Sequence, residues 1–258
     1  MSIRFNAYQQ PIGQALPSWK KAKLPKKETI TGQYCRLERI NVRQHALQLY
    51  DAFFNGTDKG LWTYLLSGPF NDFNEYREWL LKLENIKDPF HYAILDKNSN
   101  QAIGSIALMR IDPTNGVIEI GSVIFSGRLK KTTMATEAIY LLMKYAFEEL
   151  GYRRLEWKCD TLNAPSRAAA LRYGFTFEGI FRQALVIHGR NRDTAWYSIL
   201  DLEFQKLSKA FNDWLDPDNF DSEGIQKKSL QKLMNYYVKT CNQINTQTYR
   251  LLKKDDEL

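Results

Sequence analysis

No run in this chain approaches the ~18–20 apolar residues of a membrane-spanning helix, which argues against a membrane anchor. The first stretch, MSIRFNAYQQPIGQ, lacks an apolar centre, so no secretory leader is expected there. The ending KKDDEL superficially resembles an endoplasmic-reticulum retention tail; with no leader expected, it reads as a charged terminus. Cysteine is scarce. Cys35, Cys159 and Cys241 are odd in number and far apart, giving neither a disulfide framework nor a metal spacing, and a reducing, cytoplasmic compartment is expected. The three histidines, His45, His91 and His188, do not cluster, so no metal site is expected. Internal repeats and low-complexity tracts are also missing.

Charge is present but not concentrated. Thirty-six Lys and Arg against 29 Asp and Glu give a net charge of +7, which favours anionic partners by weak steering. The basic residues are scattered among acidic ones. There is no zinc finger, no aromatic RNA-binding signature and no long basic arm. A nucleotide-like cofactor accounts for the charge with fewer assumptions than nucleic acid does. A hydrophobic content of 44% with 13% aromatics over 258 residues suffices for one sizeable core.

Periodicity then orders the chain. Residues 1–29, broken by Pro11, Pro17 and Pro25, predict an irregular extension whose basic stretch WKKAKLPKK wraps the surface. YCRLERI reads as a strand, RQHALQLYDAFF and FNEYREWLLKLE as helices, HYAILD and IGSIALMRI as strands. DPTNG is a hairpin turn before the strand VIEIGSVIF. The helix ATEAIYLLMKYAFEELG, the strand RLEWKCD and the short helix after Asn163, ended by Gly174, follow. FTFEGIFRQALVIH and TAWYSILDLEF are expected to pair as strands across the turn GRNRD. The fold class is therefore α/β (α+β) with a mixed sheet. Beyond residue 205 a helical extension, 206–258, is expected, with a heptad-like stripe from Leu230 to Leu251. That stripe packs on its own domain or on a second subunit, leaving a homodimer open, and residues 1–206 are expected to fold without it.

The stretch SGRLKKTTMATEA, residues 126–138, stands out. Arg128, Lys130 and Lys131 precede Thr132 and Thr133 where a helix should start, and a cationic helix N-terminus suits a phosphate. A solvated turn with an ordinary threonine cap is the other reading of these residues alone.

Three segments, IEIGSVIFSGRLKKTTMATEA, EELGYRRLEWKCDTLNAPSRAAALRYGFTFEG and FRQALVIHGRNRDTAWYSILD, together resemble the GNAT N-acetyltransferases. The nearest resemblance is to the branch containing the ribosomal-protein N-terminal acetyltransferases RimJ and RimL, over roughly residues 33–204. It implies the GNAT acyl-CoA N-acyltransferase fold in residues 30–205, a mostly antiparallel mixed sheet flanked by helices. It also implies acetyl-CoA-dependent transfer to an amine by direct attack. The family loop Q/R-x-x-G-x-G/A is altered here: Lys130 takes its first position, Thr133 its middle glycine and Ala135 its last small residue. On this resemblance Lys130, Lys131, Thr132, Thr133, Met134 and Ala135 cradle the pyrophosphate. Ile124, Phe125 and Ser126 form the strand edge that pairs with pantetheine, with a β-bulge there freeing an amide for the oxyanion. Asn163 reaches the pantetheine or the amine.

The tyrosine acid that many members carry seven residues after the asparagine is Ala170 here, whereas the serine of the RimL-like branch is matched by Ser166. A helix-capping role for Ser166 stays open beside the catalytic one. The branch's glutamate base aligns with Leu185, so Glu119 is the best substitute, with Glu178 or bulk water as alternatives. Glu119 as a plain ion-pair residue also stays open. An acyl-cysteine route through Cys159 is conceivable, and a buried inert thiol is favoured. The acceptor, a small-molecule amine or a peptide N-terminus, is expected between the loop carrying Trp62, Tyr64 and Phe70 and the hairpin carrying His188, Arg190, Arg192 and Asp193. Trp62 and Phe70 read equally well as core. Arg190 and Arg192 hint at an acidic group on the acceptor. The rival classes are a non-catalytic acyl-CoA-binding module and a nucleic-acid binder using the basic termini.

Overall fold

The computed structural model describes residues 4–55 and 60–237. A small hairpin, β1 (Arg4–Phe5) with β2 (Pro11–Ile12), comes first. The basic stretch after it is a strap. The Trp19 indole donates to the Thr114 carbonyl at 3.1 Å, and Tyr145 Oη accepts the amides of Lys26 and Lys27 at 2.9 and 3.0 Å. The expected boundary after residue 29 falls inside β3 (Thr29–Thr31), which pairs with β4 (Cys35–Arg39).

Helices α1 (Val42–Phe54) and α2 (Phe73–Asn85) follow, each started by a capping side chain: Asn41 accepts the Gln44 amide and Asp72 the Glu75 amide. β5 (Phe90–Asp96), β6 (Ala102–Asp112) and β7 (Val117–Phe125) form an antiparallel meander. α3 (Thr133–Lys144) continues as one wider π-type turn, Tyr145–Leu150. β8 (Arg154–Asp160), α4 (Ala164–Arg172), β9 (Thr176–Ile187), β10 (Arg190–Leu200) and α5 (Asp201–Leu215) complete the order.

The main sheet has eight strands in the order β3-β4-β5-β6-β7-β8-β10-β9, antiparallel except between β7 and β8. In β5, Tyr92 and Ile94 belong to one apolar core while Ala93 and Leu95 belong to the other. Successive side chains leave opposite faces of a strand, so the sheet is covered on both sides. That explains why HYAILD is apolar without alternation. α1 and α2 cover one face; α3 and α5 cover the other.

Two sequence expectations change here. The β9–β10 turn is the pair His188-Gly189, both at positive φ (48° and 71°), and the residues of GRNRD after Gly189 lie in β10. A two-residue turn of this kind matches the right-handed strand twist. DLEF is not strand: Asp201 opens α5, where Glu203 accepts the Leu200 amide at 2.8 Å. The boundary expected at 205/206 falls inside α5. Phe204, Leu207, Phe211 and Trp214 of that helix, and Leu230, Leu233 and Met234 of the helical residues 230–237, join the same core as α3. The described part of the expected extension is thus packed into the domain core. The stripe from Cys241 to Leu251 lies outside the described residues.

Candidate active site

β7 and β8 pair only at Val117–Glu119 with Arg154–Glu156. Past that point β7 stays on β6 and β8 stays on β10, so the two parallel strands part and a wedge opens in the sheet. A cavity of about 130 Å³ sits in the wedge. Its walls include Gly121–Ile124 of β7, Trp157–Asp160 of β8, Asn163 and Ser166 of the α4 start, Tyr64 and Arg192.

The β7 wall carries a bulge. Ser105 pairs with Ile124 and Ala107 with Gly121, so Ser122 and Val123 together face Ile106, and Ser122 takes φ +47°. The bulge thus lies just before the segment where it was expected. The Ser126 amide donates to the Ile103 carbonyl at 3.3 Å. By the strand's period of two, the backbone groups of Ile124 and Ser126 are spent on β6, while those of Phe125 point to the open edge. Of the three expected edge residues, Phe125 alone offers its amide and carbonyl. Ile124 and Ser126 are buried, and Ser126 Oγ has no partner among the described residues.

The loop after β7 is built around Leu129, which is fully buried over Gly104; a Cβ there would collide with it. Lys131 takes φ +63° where a glycine would be unstrained. Thr132 is the N-cap of α3: its Oγ1 donates to the Leu129 carbonyl at 2.7 Å and accepts the Ala135 amide at 3.2 Å. The amides of Thr133 and Met134, at the first two helical positions, have no intrahelical acceptor. These amides and the flanking lysines form the kind of terminus that receives an anion.

At the mouth of β8, Asn163 rather than Ser166 caps α4: Asn163 Oδ1 accepts the Ser166 amide at 3.1 Å. Ser166 Oγ accepts the Trp157 indole N–H at 3.0 Å, which leaves its own proton to donate, with the Cys159 sulfur one neighbour able to receive it. Cys159 lines the same cavity, and burial pushes its thiol pKa up despite the nearby Ser166 hydroxyl.

A chain of charges runs beneath. Glu119 is 3% exposed, and its Oε2 meets Arg110 Nη1 at 2.7 Å and Lys158 Nζ at 2.9 Å. Lys158 also meets Glu156 at 2.7 Å. Glu178 lies off the cavity: Arg154 grips it with two guanidinium nitrogens and Ser198 donates to it, which holds its pKa down to about 2. That removes Glu178 as a base. Sequence reasoning misses Arg110 and Lys158; the available signal is a charge within an apolar strand, as in IALMRI and EWKCD.

The roof is the loop after α1. Tyr64 Oη donates to the Leu162 carbonyl at 3.2 Å, Arg190 Nη2 to the Thr63 carbonyl at 2.8 Å, and His188 Nε2 lies 3.1 Å from the Leu65 carbonyl. Arg190 therefore ties the hairpin tip to the roof. Trp62 is 5% exposed and stands in an aromatic nest with Phe53, Phe54, Phe70 and Trp79, so Trp62 and Phe70 are core residues and not acceptor walls. Asp193 is also away from the cavity; its carboxylate accepts the Gln183 amide at 2.7 Å and the Asn191 side-chain amide at 3.0 Å. No helix among the described residues is long and apolar enough to cross a membrane, and no His, Cys, Asp and Glu cluster among them could hold a metal.

The comparisons agree with this geometry. The acetyltransferase (GNAT) domain family matches residues 39–176. The crystal structure of a GCN5-related N-acetyltransferase from Brucella melitensis is 46% identical and superposes with a TM-score of 0.83, covering 85% of this chain and all (100%) of that one. Among curated proteins, the uncharacterized N-acetyltransferase p20 of Bacillus licheniformis is 27% identical over 171 residues, 65% of this chain and 96% of its own. YdaF of Bacillus subtilis, whose name ties it to ribosomal N-acetylation, is 36% identical over 105 residues, 40% of this chain and 55% of its own. With the family match spanning the strands that part, the bulge and the α3 and α4 starts, the chain belongs to the GNAT family and is an N-acetyltransferase.

Proposed function

We propose that the enzyme transfers acetyl from acetyl-CoA to a primary amine, on a small molecule or a peptide N-terminus, by direct attack. The observation that carries this reading is the parting of β7 and β8. It leaves β7 an open edge and opens a cavity that the Ser122–Val123 bulge and Ser166 line, and the α3 start with its unsatisfied amides follows that edge along the chain. Acetyl-CoA supplies the activated thioester. The α3 start, with Lys130, Lys131, Thr132, Thr133, Met134 and Ala135, holds its pyrophosphate, and the Phe125 backbone pairs with its amide-bearing arm. An amide freed at the Ser122–Val123 bulge faces the charge that develops on the thioester oxygen.

Ser166 donates its proton to the leaving sulfur, with Trp157 holding Oγ in place. Asn163 keeps its side-chain nitrogen for the ligand while its oxygen caps α4. Glu119 receives the amine's proton through Oε1, directly or by water, because Oε2 is taken by Arg110 and Lys158. The raised Cys159 pKa disfavours a thiolate and so supports direct attack over an acyl-cysteine. The motif N-x-x-S with GF-x-x-EG, and the name of YdaF, support the RimJ/RimL-like branch and a protein N-terminus as one acceptor class.

The test is thiol release from acetyl-CoA against a panel of amines and N-terminal peptides. Release that requires both partners is expected. Acetyl-CoA raising the melting temperature with no release for any amine would sink the catalytic scheme.

A further inference from the structure

We propose that the acceptor carries a carboxylate beside its amine and that Arg192 receives it. The inference rests on the acetyl-transfer reading of the cavity and concerns the acceptor end of it. Arg192 is only 9% exposed, yet it lines the cavity. Its Nε donates to the Thr194 hydroxyl at 3.1 Å, and no carboxylate among the described residues is in ion-pair contact with it. A guanidinium taken out of water needs charged or hydrogen-bonding partners, and one neutral hydroxyl is a poor replacement.

The neighbouring charges are already committed. The cavity is lined by the cations Arg110, Lys158 and Arg192 and by the carboxylates Glu119 and Asp160. Arg110 and Lys158 both bind Glu119. Asp160 accepts the Leu162 amide at 2.8 Å. Burial lowers the Arg192 pKa and Arg110 repulsion adds to that, together outweighing the attraction of Asp160 and Glu119 from beyond contact distance. Lys158 is further matched by Glu156, so Arg192 is the lining cation left without a carboxylate in contact, a place that one carboxylate of the acceptor fills.

The strand is also shaped to present this side chain. Next to Arg192, Asp193 faces a bulge of β9, where residues 182–184 lie between the partners of Arg192 and Thr194. Gln183 takes φ +50° there, and the Asp193 carboxylate holds its amide. Bulges of this kind re-aim neighbouring side chains at sites. The planar guanidinium then offers a fork to a planar carboxylate in a cavity of about 130 Å³.

The carboxylate has two sources, a small amino acid or an acidic side chain near a peptide N-terminus, and paired probes separate them. The full-length protein loaded with CoA is titrated calorimetrically with β-alanine against β-alaninamide, and phenylalanine against phenylalaninamide. The peptide pair is Ala-Asp-Ala against Ala-Asn-Ala, both C-terminally amidated. The same pairs are run with acetyl-CoA for thiol release. At least one carboxylate member should bind about tenfold or more tighter than its amide, as expected for hydrogen bonds to a charged group. Arg192→Gln should bring that ratio to about one, and Arg192→Lys should keep part of it. Melting temperature reports the fold of each variant, and if Arg192→Gln does not fold, the Lys variant and the wild-type ratio decide. Equal binding within every wild-type pair overturns the proposal, as does a preference that survives Arg192→Gln. Preference in binding without thiol release upholds the anion site and refutes acetyl transfer to these amines. Preference confined to the peptides or to the amino acids names the source.

Discussion

Ser166 shows how a single hydroxyl gains a direction. The cap that its position suggested belongs to Asn163, and the Ser166 oxygen is instead filled by the Trp157 indole proton. Ser166→Ala should therefore lower turnover by roughly 10²-fold or more if the hydroxyl protonates the leaving sulfur. Acetyl-CoA affinity should hardly change. It also strands the Trp157 N–H, at about 1 kcal/mol of stability. Asn163→Ala should behave differently, costing about 1 kcal/mol through the lost cap. Urea melts and thiol-release rates for the two variants check this; full activity in Ser166→Ala would leave water as the acid. His91 supplies a pH test at the same scale. Burial lowers its pKa from 6.5 to about 4, so the unfolded chain binds a proton in that window that the folded chain refuses. Stability is thus fully present above pH 6.5 and declines as pH falls toward 4, by up to about 3 kcal/mol. His91→Gln should flatten that part of a melting-temperature profile; an unchanged slope would refute the assignment.

At the scale of elements, the loop between β7 and α3 carries the cofactor argument. In the proposed site, Lys131 at positive φ and the amides of Thr133 and Met134, which have no intrahelical acceptor, stand where the resembled family loop carries glycines. Exchanging both Lys130 and Lys131 for alanine should weaken acetyl-CoA binding several-fold and reduce its salt dependence, because each lysine adds charge beside a pyrophosphate. Unchanged affinity by calorimetry would make them a solvated face. Most strands and helices between residues 34 and 200 were legible because they carry a period, or like HYAILD a bounded apolar run, with cap or turn residues such as Asn41, Asp72 and Gly174. The parting of β7 and β8 was not legible from strand patterns, since it depends on which neighbour each strand keeps. Nor was the exclusion of Trp62 and Phe70, because an aromatic looks alike in a nest and in a wall. Arg192 was read as part of the hairpin, but its lack of ion-pair contact with any carboxylate among the described residues is a property of the folded site alone.

The whole molecule depends on a segment that composition made look peripheral. DLEFQKLSKAFNDWL is polar in eight residues of fifteen, yet as α5 it sets Phe204, Leu207, Phe211 and Trp214 along one side at helical spacing. Phe211 stacks on Tyr140 of α3 with ring centroids 4.8 Å apart, and Phe204 stacks on Phe147 at 4.7 Å. Tyr140 further bonds Asn212 at 2.7 Å, and the Arg172 guanidinium lies 5.1 Å from the Trp214 ring. α3 is the helix whose start is proposed to receive the pyrophosphate, so α5 backs that proposed site from behind. A chain ending at residue 206 would expose Tyr140, Ile139 and Met143, all now buried. Losing Phe211 and Trp214 at about 3–5 kcal/mol each, with Leu207, Leu215, Leu230, Leu233 and Met234 at about 2–5 kcal/mol each, exceeds the roughly 5–15 kcal/mol that holds a typical domain. The truncated chain is therefore expected to be insoluble or unfolded and unable to bind acetyl-CoA. Trp214→Ala, a gentler probe, should fold with a melting temperature lower by several degrees and a weaker response to acetyl-CoA. A soluble 1–206 chain that melts cooperatively and binds acetyl-CoA as the full chain does would restore the boundary inside α5 and refute the support role of that helix.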